Sequence, residues 1–262
     1  MHIHSRRSPD GLMRAGAILE RARRLGLGGL CVSDHNTLAG SLDALELAPP
    51  DLLIIPGAEY STDLGHMLAY FIARDAKAEG VARDRRGRFD FTELLAFVKE
   101  QGGFLFAAHP YRRPSGDLSG VLDSLSGVEV YNSRNIWRDR PANRRALELC
   151  TSLHLPFCAG SDAHLPLEVG RAYRIFQGDS IEQIKQELKT PGGEFFGRVS
   201  PLSAQCASSL CGDVRVFDIG KTARSAAKLG FSVLYDASTG FDRDRMKEAD
   251  GAVYRVENEE QG

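Results

Sequence analysis

The sequence predicts an α/β fold in which mostly parallel strands are covered by helices, as a barrel or an open sheet. Three observations lead there. Short apolar runs alternate with helix-like stretches through the first 200 residues, each run has Gly or Pro nearby, and ionisable residues recur where the runs end. A chain of 262 residues suits one large barrel, or a domain of about 200 residues with an appendage.

Taken in order, "GGLCVSD" (28–34), "DLLIIPGAE" (51–59), "GHMLAYFIA" (65–73), "GGFLFAAHP" (102–110), "GVEVYN" (127–132) and "LPFCAGSD" (155–162) read as buried strands. Among them, residues 12–25, 90–101, 138–153 and 180–189 have the spacing of amphipathic helices, with Ala146, Leu149, Cys150 and Leu153 on one face of the third. Residues 74–90, "RDAKAEGVARDRRGRFD", are charged and poor in large apolar groups, which predicts an exposed loop with a short helix at most. From 201 the texture changes. "PLSAQCASSLCGD" resembles a linker, "VRVFDIGKTARSAAKLGFSVLYDAS" reads as strand–helix–strand, and the acidic "ENEEQG" as a frayed end. The expected organisation is a barrel over 1–200 and a small α/β extension over 201–262.

An apolar share of 42% and a charged share of 26% fit a soluble globular protein. A net charge of −2 excludes a general nucleic-acid coat but leaves room for a local basic pocket for phosphate. Five cysteines, Cys31, Cys150, Cys158, Cys206 and Cys211, lack CxxC spacing and read as reduced thiols. Neither a signal peptide nor a membrane-spanning stretch is read, so the expected location is the cytoplasm, with no membrane partner.

Of seven histidines, six fall at the end of a predicted strand or in the turn beyond it. His2 and His4 alternate around Ile3, and Asp162 and His164 repeat that alternation. Residues i and i+2 of an extended segment point to the same side, so each pair can aim two ligands at one point. The series runs His2/His4, Asp10, Asp34-His35, Glu59, His66, His109, Glu129 and Asp162/His164. Singly, each has a plain structural reading: His35 as a turn residue beside Asn36, His109 as a strand end before Pro110, Asp10 as turn chemistry in "SPDG". Glu59 is harder to explain that way, because it ends a very apolar strand and a buried carboxylate needs a cation or strong donors. His154 reads as an ordinary helix residue. Parallel strands that all end in an ionisable group gather those groups at one face of the sheet. Imidazole and carboxylate without thiolate suit Mn, Fe or Zn, and a set this large suggests more than one ion.

"HIHSRRSPDG", "CVSDHNTLAG", "IIPGAEY", "GHMLAYF", "FAAHPYR", "VEVYN" and "AGSDAH…VGRAY" resemble, in order, the motifs of the polymerase and histidinol phosphatase (PHP) superfamily over about residues 2–175. The nearest branch is that of the stand-alone metal-dependent phosphoesterases, which carry Asp in the SPDG-type turn. The resemblance implies a distorted seven-stranded β/α barrel with two or three divalent ions at its mouth. Carried over by position, His2, His4, Glu59 and Asp162 would hold one ion. Asp10, His35 and His164 would hold a second, and Glu59, His66 and His109 a third. Asp34 is expected to support these ligands.

The implied chemistry is hydrolysis of a phosphate ester by hydroxide held between ions, with guanidinium groups stabilising the phosphoryl oxygens. Arg112, Arg134 and Arg171 stand directly beside ligand motifs and are the candidates; Arg6 and Arg7 rank below them, and "RDRRGR" reads as a solvated loop. The expected substrate is a nucleotide, a nucleoside bisphosphate or a short oligonucleotide end, with Tyr111, Tyr131 and Trp137 available to stack on a base. No stable nucleic-acid partner is expected. Two other classes compete: a binding or regulatory module that holds metal for structure, and an amidohydrolase, whose usual bridging lysine has no counterpart before Lys77. Relatives usually carry a few residues ahead of the first histidine pair, so either metal holds that strand or the native start lies upstream of Met1.

Overall fold

The apolar runs form strands as their pattern predicts, but the pairing of those strands is mixed rather than mostly parallel. The computed structural model describes residues 1–112, 116–136, 139–238 and 251–256. Its strands are β1 (Gly29–Leu30), β2 (Leu53–Ile54), β3 (Gly57–Thr62), β4 (Gly65–Tyr70), β5 (Phe104–Ala107), β6 (Gly127–Asn132), β7 (Phe157–Gly160), β8 (Ala172–Ile175), β9 (Gly193–Gly197) and β10 (Ala252–Val256). β1 and β2 pair in parallel as a small sheet. The other eight form one sheet in the order β10-β9-β8-β7-β6-β5-β4-β3. Only β5-β6 and β6-β7 are parallel within it; β3-β4, β4-β5, β7-β8, β8-β9 and β9-β10 are antiparallel. The reason is local. β3 and β4 are joined by two residues, Asp63 and Leu64, and so short a connection can only make a hairpin.

The first residues lie between the end of β7 and the segment after β1. Ile3 bridges Ala163 in parallel, His4 N donates to Ala163 O at 2.7 Å, and Ser33 N donates to Ile3 O at 2.7 Å. Further round, His35 bridges Glu59 in parallel. These are isolated bridges. Among the described residues the ladders make a mixed α/β fold with one large sheet, not a continuous seven-stranded barrel.

Helices α1 (Ala15–Arg24), α3 (Phe91–Glu100), α4 (Arg140–Ser152) and α5 (Ile181–Glu187) fall where periodicity predicts them. α3 has the clearest local cause. The Asp90 carboxylate accepts from Glu93 N at 2.9 Å, a cap worth about 1 kcal/mol, and Phe91, Leu94, Phe97 and Val98 are buried on one face. In α4, Ala146 and Cys150 are buried as expected, whereas Leu153 lies just past the helix and is half exposed. α2 (Ala39–Leu47) has no apolar stripe to announce it, because it buries Gly40, Ser41 and Ala44.

The extension departs from its expected form. "PLSAQCASSLCGD" is not a linker, and no strand–helix–strand follows it. Instead α6 (Leu202–Arg215) and α7 (Ile219–Ser238) pack on each other. The aromatic and β-branched residues of "FSVLYDAS" favour strand only weakly, and tertiary packing overrides such a preference. The Asp236 carboxylate accepts from Leu202 N at 3.1 Å and Ser203 N at 2.8 Å, so the end of α7 caps the start of α6. Residues 74–90 are largely exposed, yet Ala76 and Phe89 are fully buried and anchor that loop. Trp137 lies outside the described residues.

Candidate metal centre

His2 and His4 are fully buried, and extended backbone turns both rings to the same side. Each ring is fixed by its far nitrogen. His2 Nδ1 donates to Glu129 Oε1 at 3.0 Å. Ser8 Oγ has one proton, which it gives to Asp34 Oδ1 at 2.8 Å, so it accepts from His4 Nδ1 at 3.0 Å. Both Nε2 atoms then face inward, towards Glu59 Oε2 at 3.3 Å each and Asp162 Oδ1 at 3.6 and 3.2 Å.

Glu59 leaves the middle of β3 into the centre of this cluster. Its Oε1 meets His66 Nδ1 at 2.9 Å and His109 Nε2 at 3.0 Å, and its Oε2 meets His35 Nδ1 at 2.9 Å. On the far side, His164 Nε2 stands 3.1 Å from Asp10 Oδ2 and His35 Nε2 3.8 Å from Asp10 Oδ1. His164 Nδ1 is tied to Asp162 O at 2.8 Å, which turns Nε2 towards Asp10. All nine ligand candidates therefore converge. Three triads have ligand atoms within 4.8 Å of one another: His2-His4-Glu59, His4-His35-His164 and His35-Glu59-His66.

Backbone conformation serves the same end. Asn36, His109 and Asp162 all adopt positive φ (57°, 30° and 51°), a costly state for residues other than glycine that clusters at functional sites. At His109 it is held by the backbone N–H donating to Glu129 Oε2 at 2.8 Å.

The electrostatics are those of a site built for cations. Burial raises the Glu59 carboxyl, but His2, His35 and His66 outweigh it and hold the group well below the usual range. Burial likewise opposes ionisation of Asp162 and Asp10, yet His2 and Arg112 hold the first low, and His164 the second. Burial pushes the His4 imidazole down, but hydrogen bonding to Asp162 and Glu59 lifts it to about 9. His109 moves the other way, to about 4, through burial and the Arg112 charge.

Two carboxylate oxygens test whether these residues fit metal. Glu59 Oε2 and Asp10 Oδ1 are buried and receive no well-aligned hydrogen bond, although His35 Nδ1 lies 2.9 Å from the first. An unsatisfied buried acceptor costs about 1–3 kcal/mol, more when charged. Both oxygens face imidazole nitrogens, and nitrogen and oxygen donors without thiolate suit borderline or hard divalent ions. The residues fit the group. The cysteines stay out of all three triads; Cys31 and Cys158 are buried, and burial pushes both thiols well up, so they stay thiols.

The supporting candidates divide. Asp34 accepts from Ser5 N, Ser5 Oγ, Ser8 N and Ser8 Oγ at 2.7–3.2 Å, and orders the first turn without entering the cluster. Arg112 does reach it: Nη1 donates to Asp162 Oδ2 at 2.8 Å, Nη2 to Asn132 Oδ1 at 2.5 Å and Nε to Asn135 Oδ1 at 2.9 Å.

Arg134 and Arg171 do not face the cluster, contrary to expectation. Arg134 is buried and pairs with both Glu168 oxygens at 2.8 Å. Glu168 in turn accepts from His164 N at 3.0 Å, so this pair braces the His164 loop. Arg171 is buried and donates to the carbonyls of Leu167 and Val199. Arg7 is paired with Asp43, and Arg6 is exposed. Tyr111 lies under the Arg145 guanidinium at 4.1 Å, Tyr131 packs with Phe195 and Tyr254 away from the cluster, and His154 is exposed. Sequence reasoning missed Ser8, Asn132 and Glu168. The only signal for them is their place within two to four residues of a ligand or guanidinium candidate.

Comparison with known proteins points the same way. The family model described as PHP domain matches residues 1–159, and one described as PHP-associated matches 140–190. The uncharacterized protein MJ0417 of Methanocaldococcus jannaschii is 31% identical over 197 residues, covering 70% of this chain and 72% of that protein. MJ1587 of the same organism is 30% identical over 161 residues, 56% of this chain and 87% of its own length. Among solved structures, an amidohydrolase from Chromobacterium violaceum with bound sulfate and no metal has a TM-score of 0.53 at 18% identity, over 72% of this chain and 94% of that one. A proposed metal-dependent phosphoesterase from Bifidobacterium adolescentis has a TM-score of 0.49 at 21% identity, over 71% and 94%.

Proposed function

This chain belongs to the PHP family, and on that premise we propose that it hydrolyses phosphate esters with the aid of two or three divalent ions. The family and the ligand cluster together support a metal-dependent hydrolase. The observation that carries the finer reading is the two buried oxygens without a well-aligned hydrogen bond, Glu59 Oε2 and Asp10 Oδ1, set among histidine nitrogens. His2, His4, Glu59 and Asp162 would hold one ion, Asp10, His35 and His164 a second, and Glu59, His66 and His109 a third, with Mn, Fe or Zn suited to these donors. When bound, such ions would supply an activated water near neutral pH and neutralisation of phosphoryl charge.

The residues of the chain do the rest. Glu129, Ser8 and the Asp162 carbonyl fix the tautomers of His2, His4 and His164. Arg112, held by Asn132, Asn135 and Asp162, presents the fixed cation at the cluster edge and is the residue suited to a phosphoryl oxygen. We read the bridges of Ile3 to Ala163 and of His35 to Glu59 as the closure of a distorted seven-stranded barrel. The substrate class this supports is a nucleotide, a nucleoside bisphosphate or a short oligonucleotide end. No helix among the described residues is long and apolar enough to cross a membrane; a cytoplasmic address remains part of the proposal.

The amidohydrolase reading has a named structural neighbour, but Lys77 is exposed in the 74–90 loop and so does not bridge a centre. Turnover decides among the readings. After chelation and reloading with Mn²⁺, the protein should hydrolyse a chromogenic phosphate mono- or diester, and His109→Ala should lower both metal content and rate. Metal-loaded protein inert on both esters while Glu59→Ala still folds would favour a binding module. A panel of nucleotides, nucleoside bisphosphates and 5′-phosphorylated oligonucleotides then identifies the substrate.

A further inference from the structure

The turn that presents Asp10 is held from outside the PHP-matched region. Arg215, the last residue of α6, places Nη1 at 3.2 Å from Ser8 O, 2.8 Å from Pro9 O and 2.9 Å from Gly11 O. Among the described residues, no backbone amide donates to any of these three carbonyls. One turn earlier in α6, Gly212 lies against the ligand itself: a Cβ there would stand 3.3 Å from Asp10 Cβ, tighter than ordinary packing. α6 is in turn locked to α7 by Asp236, which accepts from Leu202 N and Ser203 N, and by Ser225 Oγ donating to Asp213 Oδ2 at 2.6 Å.

We infer that Arg215 is a positioning residue for Asp10, so that the α6–α7 hairpin sets the occupancy of the ion held by Asp10, His35 and His164. The inference rests on the reading of Asp10 as a ligand. The physical cause is simple. Asp10 sits in a turn closed by the isolated bridge of Ser5 to Met13 and packed against α6 at Gly212. Its Oδ2 must stay within reach of His164 Nε2, now 3.1 Å away, while Oδ1 stays near His35. A guanidinium gathering three carbonyls around that residue restricts the turn, and a glycine at 212 lets the helix come close enough to do so. Groups that orient a metal ligand from behind typically change affinity 10–100-fold when removed.

The test is Mn²⁺ titration of the full chain, followed by calorimetry and by metal analysis after equilibrium dialysis, on the native protein, Arg215→Gln, Arg215→Lys and Asp10→Asn. Arg215→Gln should weaken one ion per chain by about tenfold and leave the tighter ions unchanged. Arg215→Lys, which keeps a cationic donor, should recover part of that loss. Hydrogen exchange at residues 5–13 should rise in Arg215→Gln, while the melting temperature of the metal-free form stays within error. Native Mn²⁺ binding in Arg215→Gln, alongside loss of an ion in Asp10→Asn, overturns the positioning role alone. Native binding in Asp10→Asn as well overturns the ligand reading on which it stands. Uniform weakening of every ion together with a lower metal-free melting temperature would make Arg215 a general anchor of α6, which also overturns the inference. Gly212→Ala gives an independent check, since pressure on Asp10 should affect the same ion.

Discussion

The Nε2 atoms of His2 and His4 stand 3.1 Å apart, each ring held by its other nitrogen, to Glu129 and to Ser8. Two imidazole nitrogens so close either share a proton with the neighbouring carboxylates or bind the same cation. The difference between those states is measurable.

Metal loading should release protons. In the metal-free protein burial lowers the affinity of His4 for a proton, but Asp162 and Glu59 more than reverse this and raise it to about 9, and His2 moves in the same direction. His4 is then protonated at pH 7.5 and must lose a proton to become a ligand. Mn²⁺ affinity should therefore climb with pH until about 9 and then level off. The sign for stability follows from the same shift. With a folded-state value above the unfolded 6.5, the contribution of His4 is full below about 6.5 and lost as pH rises through about 9. The metal-free melting temperature should fall across that window, and the metal-loaded one should not. Calorimetry in two buffers of different ionisation enthalpy measures the protons directly; none released at pH 7.5 would refute the scheme.

Ser8→Ala should act on metal rather than on folding. It removes the acceptor that turns His4 Nδ1 away from the cluster, and it strips one donor from Asp34. An affinity loss of about 10–100-fold is expected, with a stability cost of about 1 kcal/mol. Metal titration and urea unfolding separate the two effects.

Arg112 and Arg134 should fail differently. Arg112→Ala should retain metal and lower kcat by about 100-fold, the scale for losing one preorganised donor at a developing charge. Arg134→Ala leaves Glu168 buried without its partner and should cost about 3–5 kcal/mol of stability. Parallel kinetics, metal analysis and thermal melts would show the contrast. A phosphate-binding Arg134 would instead raise KM in a protein of normal stability.

What the sequence revealed followed what each residue's neighbours require. The pair His2/His4 and, from the middle of β3, Glu59 point inward because extended backbone leaves them little choice, whereas the pair Asp162/His164 is turned inward with Asp162 at positive φ. Their convergence needed only the strand ends to meet. The direction of an arginine carries no such constraint. Arg134 and Arg112 look alike beside their motifs, and only the position of Glu168, thirty-four residues away from Arg134, commits one of them to a buried pair. Helix α2 was hidden because it packs small residues, and α6 because Ser, Ala and Gly read as a flexible connection. In both, the missing apolar stripe reflects backbone-close packing. Strand direction was equally invisible, since a buried strand shows the same run whichever way its neighbour points.

The bridges made by the first residues have a consequence for the order of folding. His2 leaves the ribosome well before its partners, for its carbonyl accepts from Ser161 and its ring is held by Glu129, 159 and 127 residues later in the chain. Contacts of such sequence separation form late, because the chain between them must be ordered first. The opening histidines therefore wait, unpaired, through most of synthesis, and seat themselves only after β6 and β7 exist. In refolding, burial of residues 2–5 should be the last event followed by pulsed hydrogen exchange, and divalent ions should speed or retain that final step while leaving earlier protection unchanged.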